Sequence, residues 1–410
     1  MNPSLVFTIL IAIIVVNYFI DLIIDSLNAK KYDAPIPFEL QDVYPEEDYQ
    51  KSMEYKKVNH KFSLVTGSFS IILTLAFFFF EGFQKVNEIA LSISEHPIIV
   101  GLIFFGIIMI GNDIITTPFA YYKNFVIEER FGFNKMTVGT FIGDKVKGWL
   151  MTTIIGGGML ALIIWFYDIA GTNFWIYAWA LVTFFSVFMN MFYAKLIVPI
   201  FNKQTPLEPG SLRDKIEAYG NKVGFKLDKI FVIDGSKRST KANAYFSGFG
   251  SEKRVTLFDT LINDLDEDEI VAVFAHEVGH YKRKHIIYNL SISVLLTGFT
   301  LWLLSLFVSQ DIFSQALGVE QATFHIGLIA FGILYTPISE ITGLIMNILS
   351  RKFEYQADDY AKETFGGESL ITSLKKLSKN SLSNLTPHPA YEFYHYSHPS
   401  LLKRVQNLRK

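Results

Sequence analysis

Cysteine is absent from this 410-residue chain. That excludes disulfides, a thiolate nucleophile, thiolate metal ligands and palmitoylation, so any metal site has to be built from His, Asp and Glu. The redox compartment stays open, because the residue that would report it is missing. Charge is scarce as well: 19% of the residues are Asp, Glu, Lys or Arg, against about a quarter in soluble globular chains. Half of the chain is hydrophobic, 15% is aromatic, and the mean hydropathy is +0.29. This composition excludes a disordered chain and a collagen-like chain. The formal net charge of −2 supplies no field that would gather a polyanion, so no nucleic-acid partner is expected. A membrane protein fits best.

Crossing a hydrocarbon layer about 30 Å thick takes about 20 apolar residues in a helix. Seven stretches meet that length: Ser4 to Ile24, Phe62 to Phe80, Pro97 to Ala120, Gly148 to Tyr167, Phe174 to Ala194, Ile286 to Val308, and Phe324 to Leu349. The first lacks the basic leader and the small-residue cleavage site of a signal peptide, and reads as a span. All 37 Lys and Arg residues lie outside these stretches, and alternate loops place every one of them on the same face except Lys85. Lys and Arg mark the cytoplasmic side, so the N-terminus is expected outside and the C-terminus in the cytoplasm. The chain then divides into spans one to five with their loops (1–194), a polar segment (195–285), spans six and seven (286–349) and a polar tail (350–410). The two polar segments share the cytoplasmic face and can fold into one domain. In the first, Lys229 to Ile233, Asn243 to Ser247 and Arg254 to Phe258 have the β-propensity of short strands. Thr205 to Gly210 is turn-rich, and Ser211 to Gly220 reads as a short amphipathic helix.

The chemistry sits in Val271-Ala272-Val273-Phe274-Ala275-His276-Glu277-Val278-Gly279-His280. Residues four apart share a helix face, so His276 and His280 can present two imidazoles to one ion, with Glu277 beside them as general base. This is the zincin pattern. A catalytic zinc needs a third protein ligand and an open position. Glu354 can provide the ligand, and Asp358, one turn further on, can accept the remaining N–H of a ligand histidine and so fix its tautomer. Each of Asn17, Asp21, Asn112, Asp113, Asn190 and Glu340 lies within or at the edge of a span and faces either a cavity or a partner helix.

These motifs, together with Phe125-Val126-Ile127-Glu128-Glu129-Arg130-Phe131-Gly132-Phe133-Asn134-Lys135, Pro199-Ile200-Phe201-Asn202-Lys203, Asn243-Ala244-Tyr245-Phe246, Leu257-Phe258-Asp259-Thr260-Leu261 and Ser397-His398-Pro399-Ser400-Leu401, resemble the type I CAAX prenyl endopeptidases over nearly the whole chain. The resemblance implies a multi-pass α-helical membrane protein, with seven transmembrane helices around a chamber and a zincin-like cytosolic metalloprotease domain that contains a small β-sheet. It implies one Zn²⁺ per chain on His276, His280 and Glu354, with Glu277 as the base. His398 would hold the scissile carbonyl, Asp358 and Arg404 would brace the site, and the edge strand at Asn243, Ala244 and Tyr245 would pair with substrate. The implied substrate is a prenylated or membrane-associated protein that loses its C-terminal tripeptide. Two other readings share the sequence: a broad quality-control protease of membrane proteins with no prenyl requirement, and a transporter or channel with structural zinc. The implied location is the endoplasmic reticulum membrane in a eukaryote and the inner membrane in a bacterium.

Overall fold

Long apolar runs become helices because helical backbone satisfies its own hydrogen bonds where no water can. The computed structural model describes residues 2–225, 229–248 and 253–410. Among these, six helical segments are long and apolar enough to cross a membrane: Pro3–Ala29, Glu46–Phe79, Pro97–Glu128, Val138–Phe201, His285–Phe307 and Phe324–Thr364. The fourth carries two of the seven expected stretches. It is broken at Gly171, whose φ of +53° lies where only glycine sits without strain. The helices Gly157–Ala170 and Phe174–Leu196 meet across that break, with Tyr167 and Phe174 edge to face at 5.4 Å. Two spans run on well beyond their apolar parts. Glu46–Phe79 begins sixteen residues before the expected stretch, and Phe324–Thr364 continues into the polar tail, carrying Glu354 and Asp358 on rigid helix.

Polar groups inside the spans take different partners. Lys145 Nζ stands 2.7 Å from Asp113 Oδ1, and Trp149 Nε1 donates to Asp113 Oδ2 at 3.1 Å. The Tyr394 hydroxyl donates to Glu340 at 2.6 Å, and Asn190 bonds within its own helix to the Ser186 carbonyl.

The segment before the His-Glu-x-x-His helix folds into a four-stranded sheet: β1 (Gln204–Pro206), β2 (Ile230–Ile233), β3 (Ala244–Ser247) and β4 (Arg254–Phe258), in the order β1-β2-β4-β3. The β2–β4 pair is parallel and the other two are antiparallel. β1 falls in a region that reads as turn-rich; Pro206 is tolerated there because the strand lies at the sheet's edge. β3 is the opposite edge, bonded to β4 alone among the described strands. The sheet packs on the helix Glu267–Lys282, which packs in turn on Gly367–Asn380, and that helix on Leu401–Arg409; the shared core includes Leu257, Ile270, Phe274, Leu370 and Val405, all buried.

Candidate metal centre

The helix Glu267–Lys282 starts at a capping box: the Asp266 carboxylate accepts the Glu269 amide at 2.9 Å, and the Glu269 carboxylate accepts the Asp266 amide at 3.0 Å. One face of this helix lies on Phe324–Thr364, and glycine permits the contact. A Cβ at Gly279 would sit 3.0 Å from both the Cα and the carbonyl oxygen of Ala357. Close approach of the two backbones brings His276, His280 and Glu354 together.

His276 Nε2 and His280 Nε2 are 3.1 Å apart; Glu354 Oε1 is 3.2 Å from His280 Nε2, and Glu354 Oε2 is 3.4 Å from His276 Nε2. Ligand atoms bound at about 2.0–2.1 Å in a tetrahedron lie about 3.3 Å from one another. The three side chains are therefore already spaced as the corners of a metal cage. The buried Glu354 Oε2 accepts no hydrogen bond; its charged neighbours, His276 Nε2 at 3.4 Å and Arg404 Nη1 at 3.6 Å, leave it able to take a cation as a direct partner. The donor set, two imidazoles and a carboxylate without sulfur, suits a borderline divalent ion.

Both imidazoles are oriented from behind. His276 Nδ1 lies 2.9 Å from Oδ1 of the fully buried Asp358. Arg404 grips that carboxylate in a fork, with Nε to Oδ2 at 2.9 Å and Nη2 to Oδ1 at 2.5 Å. Burial pulls the His276 imidazole down, but the Asp358 and Glu354 carboxylates outweigh it and hold the group up at about 9. On the other ligand, His280 Nδ1 lies 3.0 Å from His285 Nδ1, and His285 Nε2 lies 2.9 Å from Gln356 Oε1. His285 is buried and stacks on Phe353 at 4.1 Å. No motif in the sequence marks this residue. The signal available is a third histidine five places after His280, and a continuous helix would turn it away. Lys284, at φ +60°, breaks the helix and folds His285 back.

A cavity of about 400 Å³ opens over the cluster, lined by Glu277, His398, Arg404 and the β3 residues Ala244 and Phe246. The Glu277 carboxylate has no hydrogen bond to another described residue, which leaves it free to handle a proton. His398 Nε2 is 3.4 Å from Glu354 Oε1, on a side chain that is 63% exposed and thus able to meet a ligand. Asn243 and Ala244 reach the same cavity; the side chain of Tyr245 does not. Strand alternation turns it, with Ser247, to the other face. There they line a separate cavity of about 440 Å³ with Asn190 and Tyr193.

The Phe125–Lys135 motif supports the strand region from below. Its π-helical turn Lys123–Glu128 presents Glu128, which accepts from the Tyr55 hydroxyl at 2.7 Å and from Lys241 at 3.0 Å. Arg238 pairs through two hydrogen bonds with Asp144, at 2.7 and 2.8 Å.

Residues 25–203 match the CAAX prenyl protease N-terminal family, described as five membrane helices, and residues 206–410 match peptidase family M48. The chain belongs to peptidase family M48. The M48 chain is 35% identical to the CAAX prenyl protease 1 homolog of Dictyostelium discoideum, over 98% of its own length and 97% of the relative's. It is 35% identical to CAAX prenyl protease 1 of Saccharomyces cerevisiae (92% and 89% covered) and 31% identical to the human homolog (92% and 90%). The crystal structure of Saccharomyces mikatae Ste24p superposes with a TM-score of 0.94 at 33% identity, covering 99% of each chain. This M48 peptidase is a multi-pass helical membrane metalloendopeptidase.

Proposed function

We propose that the chain is an integral-membrane zinc endopeptidase that removes the C-terminal tripeptide of prenylated CaaX proteins. The observation that carries this reading is the cage of His276, His280 and Glu354, set beside an unengaged Glu277 and beneath the free edge of β3. Three ligands with one side open suit a catalytic ion, whereas structural zinc sites close with four protein ligands.

Bound there, zinc supplies a Lewis acid that polarises the scissile carbonyl and makes water acidic enough to attack near neutral pH. Asn243 and Ala244 bind the substrate backbone along the β3 edge, fixing the peptide in extended form. Glu277 accepts the proton of the attacking water and passes it to the leaving amine. His398 Nε2 donates to the carbonyl oxygen as negative charge develops there. Asp358, held by Arg404, keeps the His276 proton on Nδ1 and its Nε2 lone pair on the cage. No covalent intermediate is required.

The break at Gly171 supports counting the fourth apolar segment as two spans, seven in all. Only 6–17% of the residues in the apolar windows are buried by protein, which supports an arrangement around a chamber, since a solid bundle would bury an inner stripe of each helix. The Lys and Arg distribution supports a cytoplasmic protease domain, hence the endoplasmic reticulum membrane in a eukaryote or the inner membrane in a bacterium.

The test compares wild type and Glu277→Ala, both zinc-loaded, on a farnesylated CaaX peptide and its unprenylated twin. Preference for the farnesylated peptide, abolished by the substitution, is the expected result. Equal cleavage of the two peptides would replace CaaX processing with broad quality-control proteolysis; an active Glu277→Ala would sink the mechanism.

A further inference from the structure

Three cavities adjoin one another, starting at the metal centre. The first holds the site. The second, of about 620 Å³, shares Ala242, His398 and Arg404 with it, and the third, of about 210 Å³, shares Tyr55, Asn384 and Tyr396 with the second. Just two Lys or Arg side chains line this path among the described residues: Arg404 at its start and Lys56 in the third cavity. Arg404 is committed to Asp358. Lys56 is not committed. It is 9% exposed, and no hydrogen bond or ion pair joins it to any described residue. Its neighbour Lys57, exposed on the other side of the helix, pairs with Asp33. Asp25 lines the third cavity too, but it lies toward His395 at 4.0 Å.

An ammonium group withdrawn from water without a counter-ion is costly. Such a group facing a polar cavity is matched to an anion that arrives from outside. Tyr32, Asn59 and Asn384 line the same cavity; the Asn59 and Asn384 amides each donate one N–H within the protein and keep a second for a small oxyanion. Resting on the CaaX reading above, the leaving fragment is three residues long and ends in a free carboxylate. Three extended residues span about 10 Å, and the middle cavity, which adjoins both the metal centre and the cavity of Lys56, is the space open to them. We infer that Lys56 binds the C-terminal carboxylate of the substrate and so anchors the end of the chain that the cut releases.

The experiment uses the full-length, zinc-loaded protein and two farnesylated CaaX peptides, one with a free C-terminal carboxylate and one with a C-terminal amide. Wild type, Lys56→Met and Lys56→Arg are compared for KM and kcat. A charge-assisted contact predicts that wild type favours the acid over the amide by about tenfold to a hundredfold in KM. Lys56→Met should erase that preference by raising KM for the acid alone, and Lys56→Arg should retain most of it. The amide rate reports folding, because that peptide makes no use of the charge. A preference that survives Lys56→Met overturns the proposal, and so does an equal loss on both peptides. Equal use of acid and amide by the wild type would assign the anion of Lys56 to another source, such as a lipid phosphate, and also overturns it. Failure of the wild type on both peptides, by contrast, overturns the CaaX reading itself and takes the carboxylate site with it.

Discussion

His285 Nδ1 lies 3.0 Å from His280 Nδ1, so one of these two nitrogens carries the proton between them. The metal centre decides which. A ligand at Nε2 requires His280 to keep its proton on Nδ1 and donate it to His285. His285 Nδ1 is then the acceptor, its Nε2 carries the proton, and Gln356 Oε1 receives it at 2.9 Å. Turning the Gln356 amide over would reverse every bond in the chain and put a proton on the ligand nitrogen. His280 thus has its own orienting chain, separate from the Asp358–Arg404 pair behind His276.

Removing that chain should weaken the metal site more than the fold. His285→Leu is expected to lower zinc affinity by about tenfold to a hundredfold, measured by competition against a chromophoric chelator. His285→Asn, whose amide oxygen sits near the position of Nδ1, should recover most of the loss. Similar affinities for wild type, Leu and Asn variants would show that the ring serves only to pack on Phe353.

The amino end of the His276 helix gives a pH-dependent prediction. Accepting the Glu269 amide holds the Asp266 carboxyl below its usual range, against the opposing effect of burial and with help from Lys376. A folded-state pKa below the unfolded value gives stability that is present above the unfolded pKa and lost as pH falls through the folded one. Asp266→Ala should therefore cost about 1 kcal/mol at neutral pH, with the gap from wild type closing as pH drops below the ordinary Asp value of 3.8. Melting temperatures of the two proteins at pH 6 and pH 3 check it. An unchanged gap at pH 3 would assign the effect to something other than the ionised cap.

Much of the site was legible because its spacing is helical. His276 and His280, and likewise Glu354 and Asp358, are four apart on unbroken helices, so sequence distance converts directly into a shared face. His285 was hidden by a local exception. The sequence Lys282-Arg283-Lys284 gives no glycine or proline to announce a break, yet Lys284 adopts a left-handed conformation that costs a non-glycine residue roughly 1–2 kcal/mol. Tyr245 reads as one segment with Asn243 and Ala244, although strand alternation sends its side chain to another cavity. Strand β1 is not legible in the sequence because Pro206 suggests a turn, and only the sheet's topology makes it an edge. Lys56 looks like its neighbours Lys51, Lys57 and Lys61 in a polar loop; its isolation comes from helix Glu46–Phe79 starting early and turning that one lysine inward.

The contact between Gly279 and Ala357 makes the last prediction, because it separates metal binding from folding. A methyl group at position 279 meets the Ala357 Cα and carbonyl oxygen at 3.0 Å and the Tyr360 Cβ at 3.2 Å. Two of those atoms are backbone, so a rotamer change cannot relieve the clash, and the helices must part by a few tenths of an ångström. Overpacking of this kind costs roughly 1–3 kcal/mol, which a domain with an extensive core can survive. The cage is less tolerant, since His276 and His280 ride on one helix and Glu354 on the other. Gly279→Ala should therefore remain folded, with a modest fall in the melting temperature of the metal-free protein, while zinc affinity falls by a larger factor. Adding zinc should raise the melting temperature of the variant less than that of wild type, because stabilisation by a ligand grows with its affinity. An equal zinc-induced rise in both proteins would mean that the two helices can separate without opening the cage, and that Gly279 matters to packing alone.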